Sequence, residues 1–467
     1  MNFMIFGTEK IKQDALLDAM TAAYRQDETT CINQLLPAAE FTPETMQGIN
    51  TMAEKLVVGT RKSRKKQAGL DNFLNQYDLS SDEGIALMCM AEALLRSPDN
   101  ETIDRLISDK LSTTDWEKHL NSSDSLFVNA ATWSLMLTGK LYAPTLNTQK
   151  SLGDSLKRLL NRTSGIVIRP IILQGMKIIG KQFVMGTTIN EALKRAQKLE
   201  AIGYRYSYDM LGEAARTAED AEKYFQSYEA AIAAIGKASP DLDPIHGPGI
   251  SIKLSALHPR YEVAQRERVM TELVPKLLQL AKQAKAQNIG LTVDAEEADR
   301  LELSLLVIEK VFSDSALNDW EGFGLAVQSY QKRAPAVIDW LIQLSKQHKR
   351  HLMVRLIKGA YWDAEIKQSQ MLGLEGYPVF TRKHSTDVSF LACAKKILAH
   401  PDCFYPQFGT HNALSVAAIF ALANVYTAWD NRFTIKLSAK KMKMYHAEFM
   451  RRLAVIKICS AISCAAS

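Results

Sequence analysis

The spacing of apolar and polar positions changes character once along the chain. Up to about residue 141 the apolar positions recur at helical intervals. Ile11–Tyr24 is amphipathic, and Pro43–Val58 follows Thr42 as its N-cap, with Glu44 in the first turn. Ser80, Ser81, Asp82 and Glu83 cap a further helix, Ile85–Leu95, which is apolar nearly all round, as a helix buried in an all-α domain must be. Helices are also predicted over 101–111, 113–120 and 124–138. The stretch 143–165 is polar and turn-rich, a linker that leads into another helix. From about Gln182 onward, short β-rich runs alternate with longer amphipathic helices. That alternation predicts a parallel α/β architecture.

Six strands can be delimited, each with a polar residue at or near its end. Tyr204–Met210 carries Asp209, Gly249–Ala256 carries Lys253, and Ile289–Asp294 ends in Asp294. Phe323–Gln328 ends in Gln328, Leu352–Ile357 carries Arg355, and Phe404–His411 ends in His411. Most intervals leave room for a helix, such as Glu262–Gln287 or Ala334–Gln347. This pitch predicts a (β/α)₈ barrel, in which the C-terminal strand ends build the site. A doubly wound open sheet is the alternative, but no Gly-rich dinucleotide turn follows a first strand.

The richest stretch is Val354–Asp363. Its strand places Arg355 and Lys358 three apart where the apolar run ends, then turns through Gly359 and Ala360 and presents two flat rings, Tyr361 and Trp362. A charge at a strand end, a small-residue turn and stacking faces suit a bulky, planar, partly anionic ligand. A strand–turn–helix with snorkelling basic residues is the plainer explanation of the same segment.

Composition narrows the class. The chain has 467 residues, 47% hydrophobic and 23% charged, which is ordinary for a globular protein of two or three domains. No apolar run reaches the roughly 18 residues of a membrane span, and the first residues lack the basic lead and apolar core of a signal peptide. Six scattered cysteines form neither metal pairs nor a disulfide framework, which fits a reducing cytoplasm. Of the net charge of +6, the segment from Arg432 onward supplies +7, so the rest of the chain is nearly neutral. A global electrostatic case for nucleic-acid binding fails there. The basic run Arg61–Lys66 lacks interleaved aromatics and reads as a solvated turn between helices. Hydrolase, P-loop and zincin motifs are absent. The acids after Asp294 (Glu296, Glu297 and Asp299) favour a helix start over a metal site, and no metal is expected.

The motifs RYSYDMLGEAA (205–215), GPGISIKLSALHPRY (247–261), DAEEADRLE (294–302), QSYQKR (328–333), RLIKGAYWDAEIK (355–367), EGYPVFTRK (375–383) and THNA (410–413) resemble the proline dehydrogenase module of the bifunctional proline utilization A flavoenzymes. EGIALMCMAEALLR (83–96) and SLFVNAATWSLMLTGKL (125–141) resemble that family's helical domain. The resemblance implies a distorted (β/α)₈ TIM-type barrel preceded by an all-α domain. It implies non-covalent FAD, oxidation of L-proline to Δ1-pyrroline-5-carboxylate and electron transfer to a membrane quinone. The boundaries it implies are an N-terminal helical arm over 1–60, an all-α domain over 61–141, a linker and helix over 142–184, the barrel over 185–423 and an atypical basic tail over 424–467. A cytoplasmic protein follows, with room for peripheral membrane contact and for a homo-oligomer.

Residue by residue, Arg355 matches the arginine beside flavin N5, Gln328 a flavin-ring contact and Asp294 a nearby carboxylate. Lys358, Gly359, Ala360 and Trp362 match the loop around the pyrophosphate and adenosine. Thr381, Arg382 and Lys383 match further phosphate and ribose contacts, and Thr410, His411 and Asn412 match contacts at the sixth strand. Lys253 matches the substrate-carboxylate lysine and Asp209 its first-strand partner. Leu356 and Tyr361 match the substrate-pocket wall, and Glu213 a gate. Chemically, Arg355 supplies a cation for the reduced ring and Lys253 a point charge for a carboxylate.

Three departures stand out. No ribbon-helix-helix module precedes the helical region, so DNA binding is not implied, and the aldehyde dehydrogenase half is absent. The resemblance ends near Asn424, where the family continues with two more strands and a last helix whose two arginines hold the proline carboxylate. Arg451 and Arg452 are poor stand-ins, since no carboxylate follows them. Thr434–Leu437 and Val455–Ile462 pass locally as strands, so a closed barrel and one incomplete at its last two strands, with an exposed edge on the sixth, both stand as expectations. The alternative to a working dehydrogenase is therefore a truncated, catalytically impaired homologue acting as a folded helical or flavin-binding fragment.

Overall fold

A short strand, β1 (Val184–Gly186), precedes eight that run in parallel: β2 (Arg205–Leu211), β3 (Gly249–Ile252), β4 (Gly290–Val293), β5 (Phe323–Gln328), β6 (Leu352–Ile357), β7 (Phe404–Gly409), β8 (Thr434–Lys436) and β9 (Lys457–Ala465). The computed structural model describes residues 15–66, 184–201, 203–240, 242–425, 434–436 and 457–465. The helices predicted over 85–95, 101–111, 113–120 and 124–138, the linker over 143–165, Cys89, and the pair Arg451 and Arg452 all lie outside the described residues. The chain divides into two compact units, one of residues 1–60 with 187–467 and the other of residues 61–186.

From β2 to β8 each strand pairs with the next, and β9 pairs with both β8 and β2, so the strands form a ring. The open edge that an incomplete barrel would leave on the Phe404 strand is not there, and the closed alternative holds. Gln407, Phe408 and Gly409 of β7 face Thr434, Ile435 and Lys436 of β8, and β9 lines β2 from Arg205↔Cys459 to Leu211↔Ala465. Both segments carry the β-branched and apolar residues that suit a strand, and each finds a partner on either side. A strand that can pair on both sides leaves no backbone donors or acceptors bare.

The ring forms because its strands are buried on both faces. Every residue of β4 and β5 is buried, and so is all of β6 except Ile357, as near-continuous apolar runs in a parallel sheet require. Helices cover the outside. Ala218–Ala238 starts from a capping box in which Thr217 and Asp220 satisfy each other's backbone amides. Ala334–His348 has Pro335 in its first turn and ends at Lys349 in a left-handed conformation. Lys383–Leu398 and Ala413–Val425 flank β7 in the chain.

Three predicted elements differ. The strand expected over Gly249–Ala256 ends at Ile252, and Leu254–Leu257 is a short helix that starts from Lys253. The helix expected over Glu262–Gln287 is broken into a 3₁₀ turn, a short α segment, a π segment Val269–Leu273 and an α-helix Val274–Ala286. Pro275 has no amide to donate and its ring crowds the carbonyl one turn back, so the bonding slips to Val274 N–H donating to Val269 O. The basic run Arg61–Lys66 is not a turn. It is the end of a long helix, α3 (Pro43–Lys66), preceded by α1 (Ala15–Ala23) and α2 (Glu28–Ala39). Lys and Arg are good helix formers, and helical propensity prevailed over charge crowding.

Candidate active site

The strand ends on one side of the ring bring four charged side chains into a single alternating series. Lys253 Nζ donates to both oxygens of Asp209 at 3.2 Å and reaches Asp294 Oδ2 at 3.5 Å. Arg355 Nη1 donates to Asp294 Oδ1 at 2.9 Å. The series therefore runs Asp209, Lys253, Asp294, Arg355 across β2, β3, β4 and β6, with each carboxylate between or beside cations. Burial alone would push the Lys253 ammonium down, but Asp294 and then Asp209 reverse this and hold it well above the ordinary lysine range. Lys253 stays charged.

Arg355 is 2% exposed, and each of its five N–H groups has an acceptor. Nε donates to Gln407 Oε1 at 3.1 Å. Nη1 also donates to Ser251 Oγ at 2.8 Å, and Nη2 donates to Ser207 Oγ at 2.9 Å and Thr292 Oγ1 at 3.2 Å. Four of these five acceptors are neutral. They fix the guanidinium without neutralising it, and its one carboxylate partner is shared with Lys253.

The turn after β6 rests on the end of β5. Gln328 Nε2 donates to Glu296 O at 2.8 Å, while its Oε1 accepts the Ala360 amide at 3.1 Å. Tyr330 lies beneath the same turn, its amide donating to Lys358 O at 2.7 Å and its hydroxyl accepting the Tyr361 amide at 3.3 Å. Gly359 has φ +142°, and a Cβ there would come within 2.5 Å of the Tyr330 ring. Only glycine fits. Trp362 is 40% exposed and donates from Nε1 to Phe380 O at 2.9 Å. Lys358 pairs with Asp387 and donates to Ser415 Oγ at 3.2 Å, and Lys383 reaches the other Asp387 oxygen at 2.8 Å.

Other predicted residues take different places. Tyr361 lies in the field of Glu213, Glu296 and Lys253, and burial, then the two glutamates, push its hydroxyl up. Glu213 is exposed on the loop after β2. Leu356 follows Arg355 on β6 and so points to the opposite face, fully buried; it is not brought to the mouth with the others. His411 and Asn412 are exposed beyond β7. Asn412 Oδ1 accepts the Ser415 amide at 3.0 Å at the start of Ala413–Val425, and Thr410 Oγ1 accepts the Asn412 amide at 3.2 Å. Thr381 gives both its amide and its hydroxyl to Glu28, at 2.9 and 2.8 Å.

Sequence reading missed Ser207, Ser251, Thr292 and Gln407. A signal for three of them was present: each of Ser207, Ser251 and Thr292 lies two positions before a strand-end residue already singled out, and so on the same face of its strand. It also missed Glu296, whose carboxylate accepts the Ser255 amide at 3.0 Å and pairs with Arg300 at 3.3 Å, and which burial pushes up. Among the described residues no cluster of His, Cys, Asp and Glu could hold a metal, and no helix is long and apolar enough to cross a membrane.

The donor set fits a flavin dinucleotide. A buried guanidinium whose one carboxylate partner is shared with Lys253 sits at the strand ends, a tight glycine turn follows it, and Lys358, Arg382 and Lys383 gather near one helix start.

Known proteins match the chain along most of its length. A family model described as Proline dehydrogenase covers residues 192–437, more than half of the chain and past the point where the resemblance was expected to end. Residues 14–61 match the Proline utilization A proline dehydrogenase N-terminal domain. Residues 69–183 match a model described as the DNA-binding domain of Proline dehydrogenase, a description that names DNA where the sequence reading implied none; that segment lies outside the described residues. The Bifunctional protein PutA of Salmonella typhimurium is 51% identical over 424 residues, covering 90% of this chain and 32% of that protein. Proline dehydrogenase 1 of Bacillus subtilis strain 168 is 26% identical over 238 residues, 51% of this chain and 67% of that protein. A crystal structure of Bradyrhizobium japonicum Proline Utilization A superposes with a TM-score of 0.70 at 42% identity, covering 95% of this chain and 44% of that one. The chain spans about one third of the length of the bifunctional relatives it matches. Matched by that model over most of its barrel and carrying the charged series at the strand ends, the chain belongs to the proline dehydrogenase family.

Proposed function

We propose that this chain oxidises L-proline to Δ1-pyrroline-5-carboxylate with FAD as its resident cofactor, passing electrons on to a quinone. The alternating series Asp209, Lys253, Asp294 and Arg355 carries this reading. When bound, FAD supplies a two-electron acceptor at N5. Arg355 would offer a bound ring a fixed positive charge, and no solvent would have to reorganise to provide it. Lys253, kept charged by two carboxylates, offers its ammonium to the substrate carboxylate. Asp209 and Asp294 hold that ammonium in place, and Tyr361 closes one side of the pocket. Lys358, Arg382 and Lys383 would face the pyrophosphate, with Gly359 letting the backbone come close. The assignments of Gln328, Ala360, Trp362, Thr410, His411 and Asn412 as cofactor contacts, and of Glu213 as a gate, belong to the same reading, as do the proposed domain limits and peripheral contact with a membrane.

The test is a visible spectrum of the purified chain before and after anaerobic addition of L-proline. A bound yellow flavin bleached by proline supports the reading. A colourless protein that takes up no FAD, or a bound flavin that proline leaves oxidised, removes it.

A further inference from the structure

The loop that carries Thr381, Arg382 and Lys383 is held from outside the barrel. We propose that Glu28, on the N-terminal helix α2, is a positioning residue for this loop, and that through it the N-terminal arm sets how tightly FAD is retained. The inference rests on the flavin reading above.

Glu28 Oε2 accepts both the Thr381 amide, at 2.9 Å, and the Thr381 hydroxyl, at 2.8 Å, from a position 353 residues earlier in the chain. The helix that begins at Lys383 has no acid in its own first turn, and its N-cap, Arg382, makes no side-chain cap. An anion beside a helix start is favourable, and here another element supplies it. Burial pushes the Glu28 carboxyl up, but the two Thr381 bonds, the Ser385 hydroxyl and Lys332 outweigh it and hold Glu28 below the ordinary glutamate range. It is a carboxylate at neutral pH.

The arm itself is anchored. Lys332 Nζ donates to Gln26 O at 2.7 Å, and the Arg333 guanidinium lies 4.0 Å over the Tyr24 ring. Gly376 passes so near the arm that a Cβ there would meet Arg25 O at 3.1 Å. On its inner side the loop is tied to the end of β5, with the Lys332 amide donating to Pro378 O at 3.2 Å and the Phe380 amide to Tyr330 O at 2.8 Å. Residues 376–381 are thus clamped between the arm and the barrel. Both donors of Thr381 are spent on Glu28, so Thr381 transmits the arm's position to Arg382 and Lys383 and does not itself meet the phosphates. Without Glu28 the backbone at Thr381 and Arg382 loses its outer tie, and although Asp387 still holds Lys383, more of the ordering of this loop falls to the ligand.

The experiment uses the full chain, stripped of flavin and titrated with FAD by fluorescence quenching. Glu28→Ala raises the FAD dissociation constant about tenfold, the scale of one charge-assisted contact. Glu28→Gln keeps an acceptor oxygen for both Thr381 donors and stays within about twofold of the unmodified chain. Thr381→Ala, which removes one of the two bonds and leaves the arm intact, gives an intermediate loss and serves if Glu28→Ala does not fold. Wild-type FAD affinity in Glu28→Ala or Thr381→Ala overturns the proposal, as does a loss in Glu28→Gln equal to that in Glu28→Ala. An unmodified chain that binds no FAD overturns the flavin reading itself, and this inference with it.

Discussion

Asp294 and Arg355 meet at 2.9 Å although β5 lies between their strands, so the ion pair crosses the inside of the ring. Asp294 gives its second oxygen to Lys253. Removing this one carboxylate leaves the buried Arg355 with no anionic partner among the described residues and Lys253 with Asp209 alone. We expect Asp294→Ala to destabilise the fold by about 3–5 kcal/mol, the range for breaking a buried pair by deleting one partner. Asp294→Asn keeps an acceptor and costs less. Denaturant midpoints of the two variants measure the difference, and equal midpoints would show that the shared charge contributes nothing.

Lys253 separates binding of substrate from binding of cofactor. Lys253→Met leaves the FAD content of the purified protein unchanged and raises the proline KM about 100-fold, as expected when a charge-assisted contact to a carboxylate is lost. Loss of flavin together with proline affinity would instead make Lys253 a brace of the whole site.

Gly359 tests the turn after β6. Its φ of +142°, and a Tyr330 ring only 2.5 Å from where a Cβ would stand, leave no room for alanine. Gly359→Ala costs about 1–3 kcal/mol in backbone strain and lowers flavin retention. Thermal melting and the ratio of flavin to protein absorbance report the two effects, and a variant unchanged in both would mean the turn adapts freely.

Asp387 gives the site an acid limit. Burial pushes its carboxyl up, but Lys358 and Lys383 outweigh this and hold it below the ordinary 3.8. The folded state thus binds the proton less tightly than the unfolded state. The stability it contributes is complete above 3.8 and is lost as the pH falls through the depressed folded value. Asp387→Asn removes that part of the acid dependence, and melting temperatures followed from neutral pH down to about pH 3 show it. Parallel curves for the two proteins would refute the coupling.

Much of this site was legible without coordinates. Phe323–Gln328 and Leu352–Ile357 were delimited as they stand, because a buried parallel strand writes itself as a near-continuous apolar run, with Gln328 ending one and Arg355 the single polar residue within the other. Glu28 could not be found that way. Nothing local marks a glutamate whose only distinction is an acceptor role 353 residues downstream. The π segment before Pro275 and the helical fate of Arg61–Lys66 were likewise hidden, since periodicity cannot show where a hydrogen-bond ladder slips or where propensity overcomes repulsion. Leu356 came to the pocket wall only through the family resemblance, and the pleat of its strand turns it to the face opposite Arg355.

The pairing of β9 with β2 joins residues roughly 250 positions apart, such as Arg205 and Cys459. Until that distant segment arrives, the growing polypeptide carries a half-finished sheet with two sticky flanks. Closures of such long sequence separation are intrinsically slow, and the unpaired flanks are where one unfinished polypeptide can pair with another.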